Sequence, residues 1–350
     1  MNILFIPHVP NLKVINRVYE FAKNSNSYFL YWDMDNSNLK NKLLSQIKSF
    51  RFLKKDKIVQ IPLLFKPDFF AKRVNTVFLN LLIKRLNIDV VVNANAVLFD
   101  IKSVTVPVFY DMVDDHLEEN PLIGLDKNRV KKIKEDIKAS KGVICVSTFL
   151  EKKVKELNKN TVTIENGVYI ERFLKAKSLK AKYNLENKRV FGYIGGVEEW
   201  SGVEKAIRNY LKIKDDSTAF MVVGDSKKEY FTKVKKAYSD DILFIGEVLP
   251  QNVADFFKTL DVGVIPFELN DFTNNALPIK ALEYALAGAN VISTPLKYLK
   301  YKNFPFVRFC DMDDFANCMK EDFKEIEYDF SEYEWSFLAE KLTNFIRHSL

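Results

Sequence analysis

The chain is poor in cysteine, glycine and proline, and it has no long apolar run. Its 350 residues include 3 Cys, 11 Gly and 11 Pro. So little glycine and proline predicts few flexible linkers. Three cysteines without metal-ligand spacing make neither a disulfide framework nor a zinc site. No apolar stretch reaches the roughly 18–20 residues of a membrane span. We therefore expect a cytoplasmic chain rather than a disulfide-stapled or membrane-spanning one.

The remaining composition is that of a globular protein with an uneven charge. Hydrophobic residues make up 47% of the chain, charged residues 28%, and the formal net charge is +7. Basic residues concentrate between Leu39 and Leu86, where only Asp56 and Asp68 oppose them and several Phe residues are interleaved. This pattern favours peripheral contact with the anionic inner face of a membrane, or a solvated face over a Phe-containing core. No recognised motif supports nucleic-acid binding, which we do not expect.

Short apolar runs alternate with helical stretches along the chain. The runs NILFIP, YFLYW, VPVFYDM and GVICVS form a first series, and RVFGYIGG, AFMVVGD, ILFIGEV, VGVIPF and NVISTP form a second. Continuous apolar strands separated by helices predict parallel sheets covered on both faces. The fold class is therefore α/β, with two Rossmann-like doubly wound domains facing a central cleft. We place the domains at residues 1–170, with a C-terminal helix at 331–350 crossing back, and at 171–330.

The segment from Pro266 to Pro295 carries the most specific chemistry. A polar loop precedes a predicted helix from Leu277 to Ala287, which stops at Gly288. A helix N-terminus favours a diphosphate, and Lys280 would add a full positive charge. Glu283 lies on the same helix face, three residues on, where a carboxylate can accept hydrogen bonds from a ribose diol.

The run LPIKALEYALAG followed by NVISTP resembles the donor-binding helix of the large retaining family of GT-B glycosyltransferases. The resemblance implies that Glu283 binds the ribose and that Lys280 and Asn274 bind the donor. In that family a second Glu lies eight positions earlier, where this chain has Asn275. Asn can hydrogen-bond to the sugar but supplies no charge, so Asn275 is a candidate catalytic residue without the family's carboxylate.

Other segments resemble the same family in the same order. FGYIGGVEEWSGVEKAI resembles its glycine loop, although the Arg and Lys that many members carry there are missing between Val197 and Gly202. ILFIGEV resembles the strand that lines the base pocket, and VVGD ends a neighbouring strand. The donor-binding residues that the resemblance implies in these segments are Gly195, Gly196, Gly224, Asp225, Gly246, Glu247 and Val248.

The N-terminal half offers fewer candidates. In VPVFYDMVDDHLEEN, Asp115 and His116 follow a strand, and either could take a proton from an acceptor hydroxyl or orient the sugar. The alternative is an acidic helix N-terminus. His8 ends the first strand. A D-x-D motif spans Asp33 to Asp35, but it follows only the second strand, too early for the other glycosyltransferase fold, so we expect no metal.

The resemblance implies a hexosyltransferase that transfers a sugar with retention from a nucleoside-diphosphate donor. We expect a UDP-sugar as the donor, with no separate cofactor. The expected acceptor is a glycan or a lipid-linked glycan of cell-surface polysaccharide synthesis. Two alternatives remain open: a non-catalytic, degenerate sugar-nucleotide-binding protein, which the missing Arg/Lys pair and Asn275 would suit, and a sugar-nucleotide epimerase of the same fold.

Overall fold

The computed structural model describes residues 1–9, 17–32, 54–55, 57–64, 69–95, 97–120, 125–225, 229–275, 277–323 and 327–350. The chain divides into two compact units. The first combines Met1–Asn166 with Trp335–Leu350, and the second is Gly167–Glu334. From the sequence we had placed the division after residue 170 and before residue 331. The Asp33–Asp35 motif and most of the basic segment before residue 57 lie outside the described residues.

The first unit is built on one sheet. Its strands are β1 (Ile3–Ile6), β2 (Tyr28–Leu30), β3 (Lys54–Lys55), β4 (Ile58–Val59), β5 (Val90–Asn93), β6 (Val108–Met112), β7 (Gly142–Cys145) and β8 (Thr161–Thr163). Its helices are α1 (Arg17–Asn24), α2 (Phe69–Leu86), α3 (Lys127–Ala139), α4 (Thr148–Val154) and, from the chain's C-terminal end, α13 (Trp335–Ser349). The strand order is β3-β4-β2-β1-β5-β6-β7-β8.

This sheet is parallel except where β3 pairs with β4 at its edge. Both of its faces are covered, which is why strands such as ILFI are apolar at every position. One face, including Leu4, Val91 and Val108, packs in a core with residues of α2. Phe109, which points the other way, contacts Phe345 of α13 with ring centroids 5.7 Å apart. Helices α2 and α13 therefore lie on opposite faces of the sheet.

The second unit has its own sheet. Its strands are β9 (Arg189–Ile194), β10 (Thr218–Val223), β11 (Leu243–Gly246), β12 (Val262–Ile265), β13 (Asn290–Ser293) and β14 (Val307–Phe309). Its helices are α5 (Ile170–Leu174), α6 (Val203–Leu211), α7 (Glu229–Tyr238), α8 (Val253–Phe257), α9 (Asp271–Asn274), α10 (Lys280–Leu286), α11 (Lys297–Lys302) and α12 (Phe315–Lys320). All pairings in the order β11-β10-β9-β12-β13-β14 are parallel.

The strand order of the second unit places its ligand-binding edge. The chain moves from β9 outward through β10 to β11, and then returns to the other side of β9 with β12. Such a reversal opens a crevice beyond the carboxyl ends of the strands, where doubly wound sheets bind ligands. The prediction of two doubly wound α/β domains is confirmed.

Two details differ from the sequence-based expectation. Helix α10, the predicted donor-binding helix, begins at Lys280, with Ile279 as its N-cap, and not at Leu277. Pro278 therefore precedes the helix, because the residue before a proline is driven out of the helical region. Gly288 ends the helix with a φ of 85°, as expected. Cys310 and Cys318, which we expected to be unpaired, form a disulfide, while Cys145 is free and buried.

Within the described residues, no helix is both long enough and apolar enough to cross a membrane.

Candidate functional site

Three glycines lie together at the carboxyl ends of strands in the second sheet. We call this place the glycine edge. Gly195 and Gly224 directly follow β9 and β10, and Gly246 ends β11; their φ values are 145°, 125° and 84°. The Gly224 amide donates to the Gly246 carbonyl at 2.8 Å. A Cβ on Gly224 would lie 2.1 Å from the Gly195 carbonyl oxygen. The edge therefore requires glycine at position 224, and its bare backbone leaves room for a ligand to approach.

Gly196 differs from its neighbours. Its φ lies outside the positive region, and the nearest atom to a Cβ there would be the Asp225 carbonyl oxygen at 4.0 Å. The carbonyl of Gly196 accepts a hydrogen bond from the Tyr193 hydroxyl at 2.8 Å. Packing therefore does not demand glycine at position 196, but the turn that contains it is held in place by a buried tyrosine.

Lys280, the first residue of α10, directs its ammonium at this edge. Its Nζ lies 4.0 Å from the centroid of the Tyr193 ring and 4.8 Å from that of Phe267. Among the described residues no hydrogen-bond acceptor is placed for this Nζ. Burial lowers the pKa of Lys280 to about 7, an effect that the nearby Glu283 partly opposes. The site thus holds a cation that is only partly protonated at neutral pH until an anion binds beside it.

Glu283 lies one turn further along α10 and is 7% exposed. Burial raises the pKa of its carboxyl to about 7 against the opposing effects of Lys280 and Arg172. In the described part of the chain no side chain or amide donates a hydrogen bond to this carboxylate. A buried carboxylate without donors is costly for the fold, and hydroxyl groups of a ligand would satisfy it.

The loop before α10 is ordered by its own hydrogen bonds. Asn270 and Thr273 form a reciprocal capping box at the start of α9. The Asn274 side-chain oxygen accepts from the Lys297 amide at 3.0 Å, which ties this loop to the start of α11. Asn275 is buried and forms the C-cap of α9. Asn274 therefore has a clear structural role, whatever it contributes to binding.

The residues predicted to line a base pocket follow β10 and β11. Asp225 and Glu247 are exposed, and Val248 is half-buried. An isolated bridge between Gly224 and Gly246 brings the two strand ends together. The second unit thus places the predicted donor-binding residues at the carboxyl ends of its strands or on α10, except Asn274, which lies at the end of α9.

An aromatic cluster occupies the loop from Val197 to Gly202, where the family resemblance led us to look for basic residues. Trp200 packs edge-to-face against Phe267 and Phe272, with ring centroids 5.1 and 5.6 Å apart. Its carbonyl accepts from the Glu268 amide at 3.0 Å. Because no base replaces the missing Arg/Lys pair in this loop, Lys280 is the cation that the described residues place against the glycine edge.

The first unit contains a separate polar group after β6. Asp115 accepts hydrogen bonds from Lys153 Nζ at 2.7 Å and from the Leu117 amide at 3.2 Å. Burial lowers the pKa of His116 to about 4, so its imidazole is neutral at neutral pH. Burial and the adjacent Asp115 raise the pKa of Asp114 to about 7. Of these groups Asp114 has the pKa that suits proton transfer near neutrality.

The three predicted catalytic residues are split between the units, with Asp115 and His116 in the first and Asn275 in the second. Sequence reasoning did not identify Asp114 as a group suited to proton transfer. The available signal was the acidic residue next to it in the sequence. It also missed Arg17, a buried guanidinium whose Nε lies 3.2 Å from both oxygens of Asp111. Arg17 also donates to the carbonyls of Ile164 and Glu165 at 2.6 and 2.8 Å. No local pattern marks a partner 94 residues away.

The group of potential metal ligands that the described residues bring together consists of Cys310, Asp314 and Cys318. Because both sulfurs are used in the disulfide, they are not thiolate ligands. This group is unrelated to the glycine edge.

Comparison with known proteins assigns the second unit. A family model described as "Glycosyl transferases group 1" matches residues 188–321, which include the glycine edge, Lys280 and Glu283. This segment of the second unit therefore matches the group 1 glycosyltransferase family. The family resemblance drawn from LPIKALEYALAG and the glycine loop is thereby confirmed.

A curated relative gives a more specific comparison. TuaH of Bacillus subtilis (strain 168), named for teichuronic acid biosynthesis as a glycosyltransferase, is 27% identical over 214 residues. The match covers 57% of this chain and 53% of TuaH. The chain therefore matches about half the length of this relative.

Solved glycosyltransferase structures share the fold along nearly the whole chain. Sucrose-phosphate synthase from Thermosynechococcus elongatus matches with a TM-score of 0.71 at 12% identity, covering 99% of both chains. HepE from Anabaena, in complex with UDP, matches with a TM-score of 0.66 at 14% identity, covering 98% of this chain and 95% of HepE. HepE is also known in complex with UDP-glucose. At these identities the similarity establishes the fold alone.

Proposed function

We propose that this chain is a group 1 glycosyltransferase that moves a hexose from a UDP-sugar to a glycan or lipid-linked acceptor in cell-surface polysaccharide synthesis, with retention at the anomeric carbon. The observation that carries the proposal is the pair formed by Lys280 and Glu283. Both are poorly solvated charged groups on one helical turn, and no hydrogen bond satisfies either charge within the described residues.

The donor diphosphate would lie along the glycine edge. Lys280 Nζ stands beside Gly195, where a Cβ would approach it to 2.8 Å, so a phosphate over the bare glycine backbone meets the ammonium directly. A diphosphate would return a counter-charge to a desolvated lysine and raise its pKa. The leaving UDP gains negative charge as the bond to the sugar breaks, so the same contact would favour the transition state.

The nucleoside would extend from the diphosphate toward two groups. The Glu283 carboxylate can accept hydrogen bonds from both ribose hydroxyls. Backbone groups of Gly246 to Val248 can read the edge of a base, since they follow the strand that pairs beside Gly224. The choice of uridine is supported by the UDP that HepE binds, and it comes to this chain only as part of the proposal.

The acceptor hydroxyl must lose its proton in the proposed reaction. In the proposed reaction the acceptor oxygen bonds to the anomeric carbon on the face from which UDP leaves, and the bond from that carbon to UDP breaks with its electron pair passing to the phosphate oxygen. We assign the proton to Asp114, whose pKa of about 7 suits it. The neutral His116 imidazole would orient the sugar, and Asp115, paired with Lys153, would hold the loop. Asn275 would contact the sugar without contributing charge.

The acceptor class is supported by the relative TuaH, whose name places it in teichuronic acid biosynthesis. A relative named for the biosynthesis of such a polysaccharide agrees with our expectation of a glycan acceptor. The degenerate-binder alternative is motivated by Asn275 and by the loop from Val197 to Gly202, which lacks a base.

A thermal-shift panel of UDP, GDP, dTDP, ADP and CMP, with their sugar conjugates, tests the donor site. A ligand at a hundred times its Kd adds about 2.7 kcal/mol to the folded state. We expect UDP and a UDP-hexose to stabilise the wild type and Glu283→Gln to lose most of that shift. The matched control is Glu186→Gln, an exposed glutamate just before β9 at the opposite end of the sheet.

Turnover separates the enzyme from the degenerate binder. UDP release from the stabilising sugar nucleotide is measured with glycan and lipid-linked acceptors, and the anomeric configuration of the product is read by NMR. Stabilisation by UDP-hexose without release of UDP in the presence of any acceptor would favour the non-catalytic binder. No stabilisation by any nucleotide at millimolar concentration would contradict the donor site itself.

A further inference from the structure

Helix α2 of the first unit has one buried face and one exposed face. Its buried residues, including Leu79, Leu82 and Ile83, pack into the core against β1, β5 and β6. At about 100° per residue, the buried positions fall within an arc of about 140° and the exposed positions within an arc of about 160°. The inner side of the helix is thus packed against the sheet, and its outer side faces solvent.

The exposed face of α2 is unusually apolar. Phe69, Phe70, Val77 and Leu81 are 65%, 71%, 58% and 53% exposed. These residues lie on the same side of the helix and span its length, unlike scattered single apolar residues, which are ordinary on protein surfaces. A contiguous exposed apolar patch marks a site of contact with a protein or a membrane.

The charge on this face favours one of those two partners. Arg73, Lys84 and Arg85 are exposed among the apolar residues, and the sequence from Phe69 to Leu86 contains no Asp or Glu. The Arg73 guanidinium stacks over the Phe69 ring at 4.1 Å. Basic side chains interleaved with exposed Phe and Leu match an anionic bilayer, in which the rings enter the headgroup region while the cations meet lipid phosphates.

The chain that precedes α2 has the same sign of charge. Between Leu39 and Lys57 the sequence carries Lys40, Lys42, Lys48, Arg51, Lys54, Lys55 and Lys57. Asp56 is the one acidic residue among them. The described end of this segment, β3 (Lys54–Lys55), pairs with β4 beside β2, at one edge of the sheet. Its charge would add to the attraction of an anionic surface.

We propose that the exposed face of α2, formed by Phe69, Phe70, Arg73, Val77, Leu81, Lys84 and Arg85, docks the protein on an anionic phospholipid bilayer. The helix lies flat in the interface, with its buried face still packed on the sheet. The proposal is independent of the donor site and needs no sugar nucleotide. It would bring the first unit to a membrane surface, where lipid-linked acceptors are found.

Vesicle flotation of the full chain tests this surface. One set of vesicles contains phosphatidylcholine alone and the other contains phosphatidylcholine and phosphatidylglycerol in equal amounts. We expect the wild type to float with the anionic vesicles and to be released by high salt. Phe69→Ser/Phe70→Ser should lower the partition coefficient at least tenfold. Each of Arg73→Gln, Lys84→Gln and Arg85→Gln should lower it about fivefold.

The matched controls lie on the opposite face of the same sheet. Phe337, which is 50% exposed, and the exposed Lys341 belong to α13. Phe337→Ser and Lys341→Gln should float like the wild type. Circular dichroism and thermal unfolding verify that every variant is folded, so that loss of flotation is not loss of structure.

A fluorescent reporter gives a second measurement. Relative to the wild type, Phe70→Trp should show additional tryptophan fluorescence. With anionic vesicles this added emission should shift to the blue, because the indole leaves water. Failure of the wild type to float with anionic vesicles would overturn the proposal, as would equal flotation of Phe69→Ser/Phe70→Ser. A lipid-free oligomer that dissociates in Phe69→Ser/Phe70→Ser, without binding of the wild type to vesicles, would make the face a self-association surface and would also overturn it.

Discussion

Lys280 Nζ lies so close to Gly195 that a Cβ at position 195 would stand 2.8 Å from it. The contact joins the end of β9 to the first residue of α10 and leaves the ammonium between the Tyr193 and Phe267 rings. This geometry explains why the cation is desolvated, and it makes its protonation sensitive to ligand binding.

Nucleotide affinity should pass through a maximum near neutral pH. Lys280 must be protonated to bind a diphosphate, and its pKa of about 7 means that the charge is lost as pH rises. Glu283 must be ionised to accept ribose hydroxyls well, and its pKa of about 7 means that the charge is lost as pH falls. Isothermal titration of UDP across pH measures both limbs, each approaching a tenfold change in affinity per pH unit.

Single substitutions should separate the acid and alkaline sides, or limbs, of this affinity profile. In Lys280→Met the alkaline limb should vanish and affinity should only rise with pH. In Glu283→Gln the acid limb should vanish and affinity should only fall as pH rises. Identical pH profiles for the two variants would rule out this assignment.

Glu283→Gln should stabilise the empty protein at alkaline pH. The folded-state pKa of Glu283 is raised from 4.5 to about 7, so its contribution to stability is fully present below pH 4.5 and is lost as pH rises through 7. Removing the buried charge should raise the free energy of unfolding by about 1–2 kcal/mol at pH 8. Urea unfolding at pH 8 and at pH 4.5 checks it, and an equal gain at both values would contradict the burial argument.

Arg17→Met should destabilise the first unit strongly. It leaves Asp111, which is 2% exposed, without its partner and removes the donors to the carbonyls of Ile164 and Glu165. Breaking a buried ion pair from one side costs about 3–5 kcal/mol. Denaturant unfolding measures the loss.

The exposed pair formed by Arg208 and Glu204 on α6 supplies the comparison. Arg208→Met should cost under about 1 kcal/mol. Similar losses for the two variants would show that Arg17 is not a buried anchor.

Gly224→Ala and Gly196→Ala should behave differently. The first places a Cβ 2.1 Å from the Gly195 carbonyl oxygen at a φ of 125°, while the second meets only the Asp225 carbonyl oxygen, at 4.0 Å. We expect Gly224→Ala to cost about 1–3 kcal/mol and to abolish nucleotide-induced stabilisation. Gly196→Ala should keep the apo melting temperature. Thermal shift with and without UDP compares them, and an undisturbed Gly224→Ala would contradict the described edge.

Asp114→Asn should remove a titration from the turnover profile. Because the pKa of Asp114 is about 7, kcat of the wild type should rise with pH through 7 as the carboxylate ionises. The variant should lose a factor of about 10²–10⁴ in kcat together with that limb, and its KM for the donor should stay unchanged. Glu119→Gln, an exposed neighbour on the same loop, is the control. If Asp114→Asn still shows the rise of kcat through pH 7, another group is responsible for that rise.

Much of the proposed donor site could be predicted because its signals are local. Lys280 and Glu283 are three residues apart, so any helix through them puts both on one face. Gly288 marks the helix end by its own backbone freedom. The helix start was less readable: Pro278 limits the residue before it, and that effect outweighed the apolar periodicity that suggested a start at Leu277.

Other features depended on distant parts of the chain. Arg17 meets Asp111 across 94 residues, and Cys310 pairs with Cys318 although three cysteines suggested no disulfide. The near-neutral pKa values of Lys280, Glu283 and Asp114 follow from burial, which the residue types do not reveal.

The amino-acid sequence by itself determined the two series of buried parallel strands, the donor helix and its charged pair, since apolar runs and helical spacing are short-range properties. Only the tertiary structure decided which glycines must be glycine, which charges lack solvent and partners, and which face of α2 stays exposed. These depend on atoms brought together from separate strands and helices, and packing rather than local propensity sets their distances.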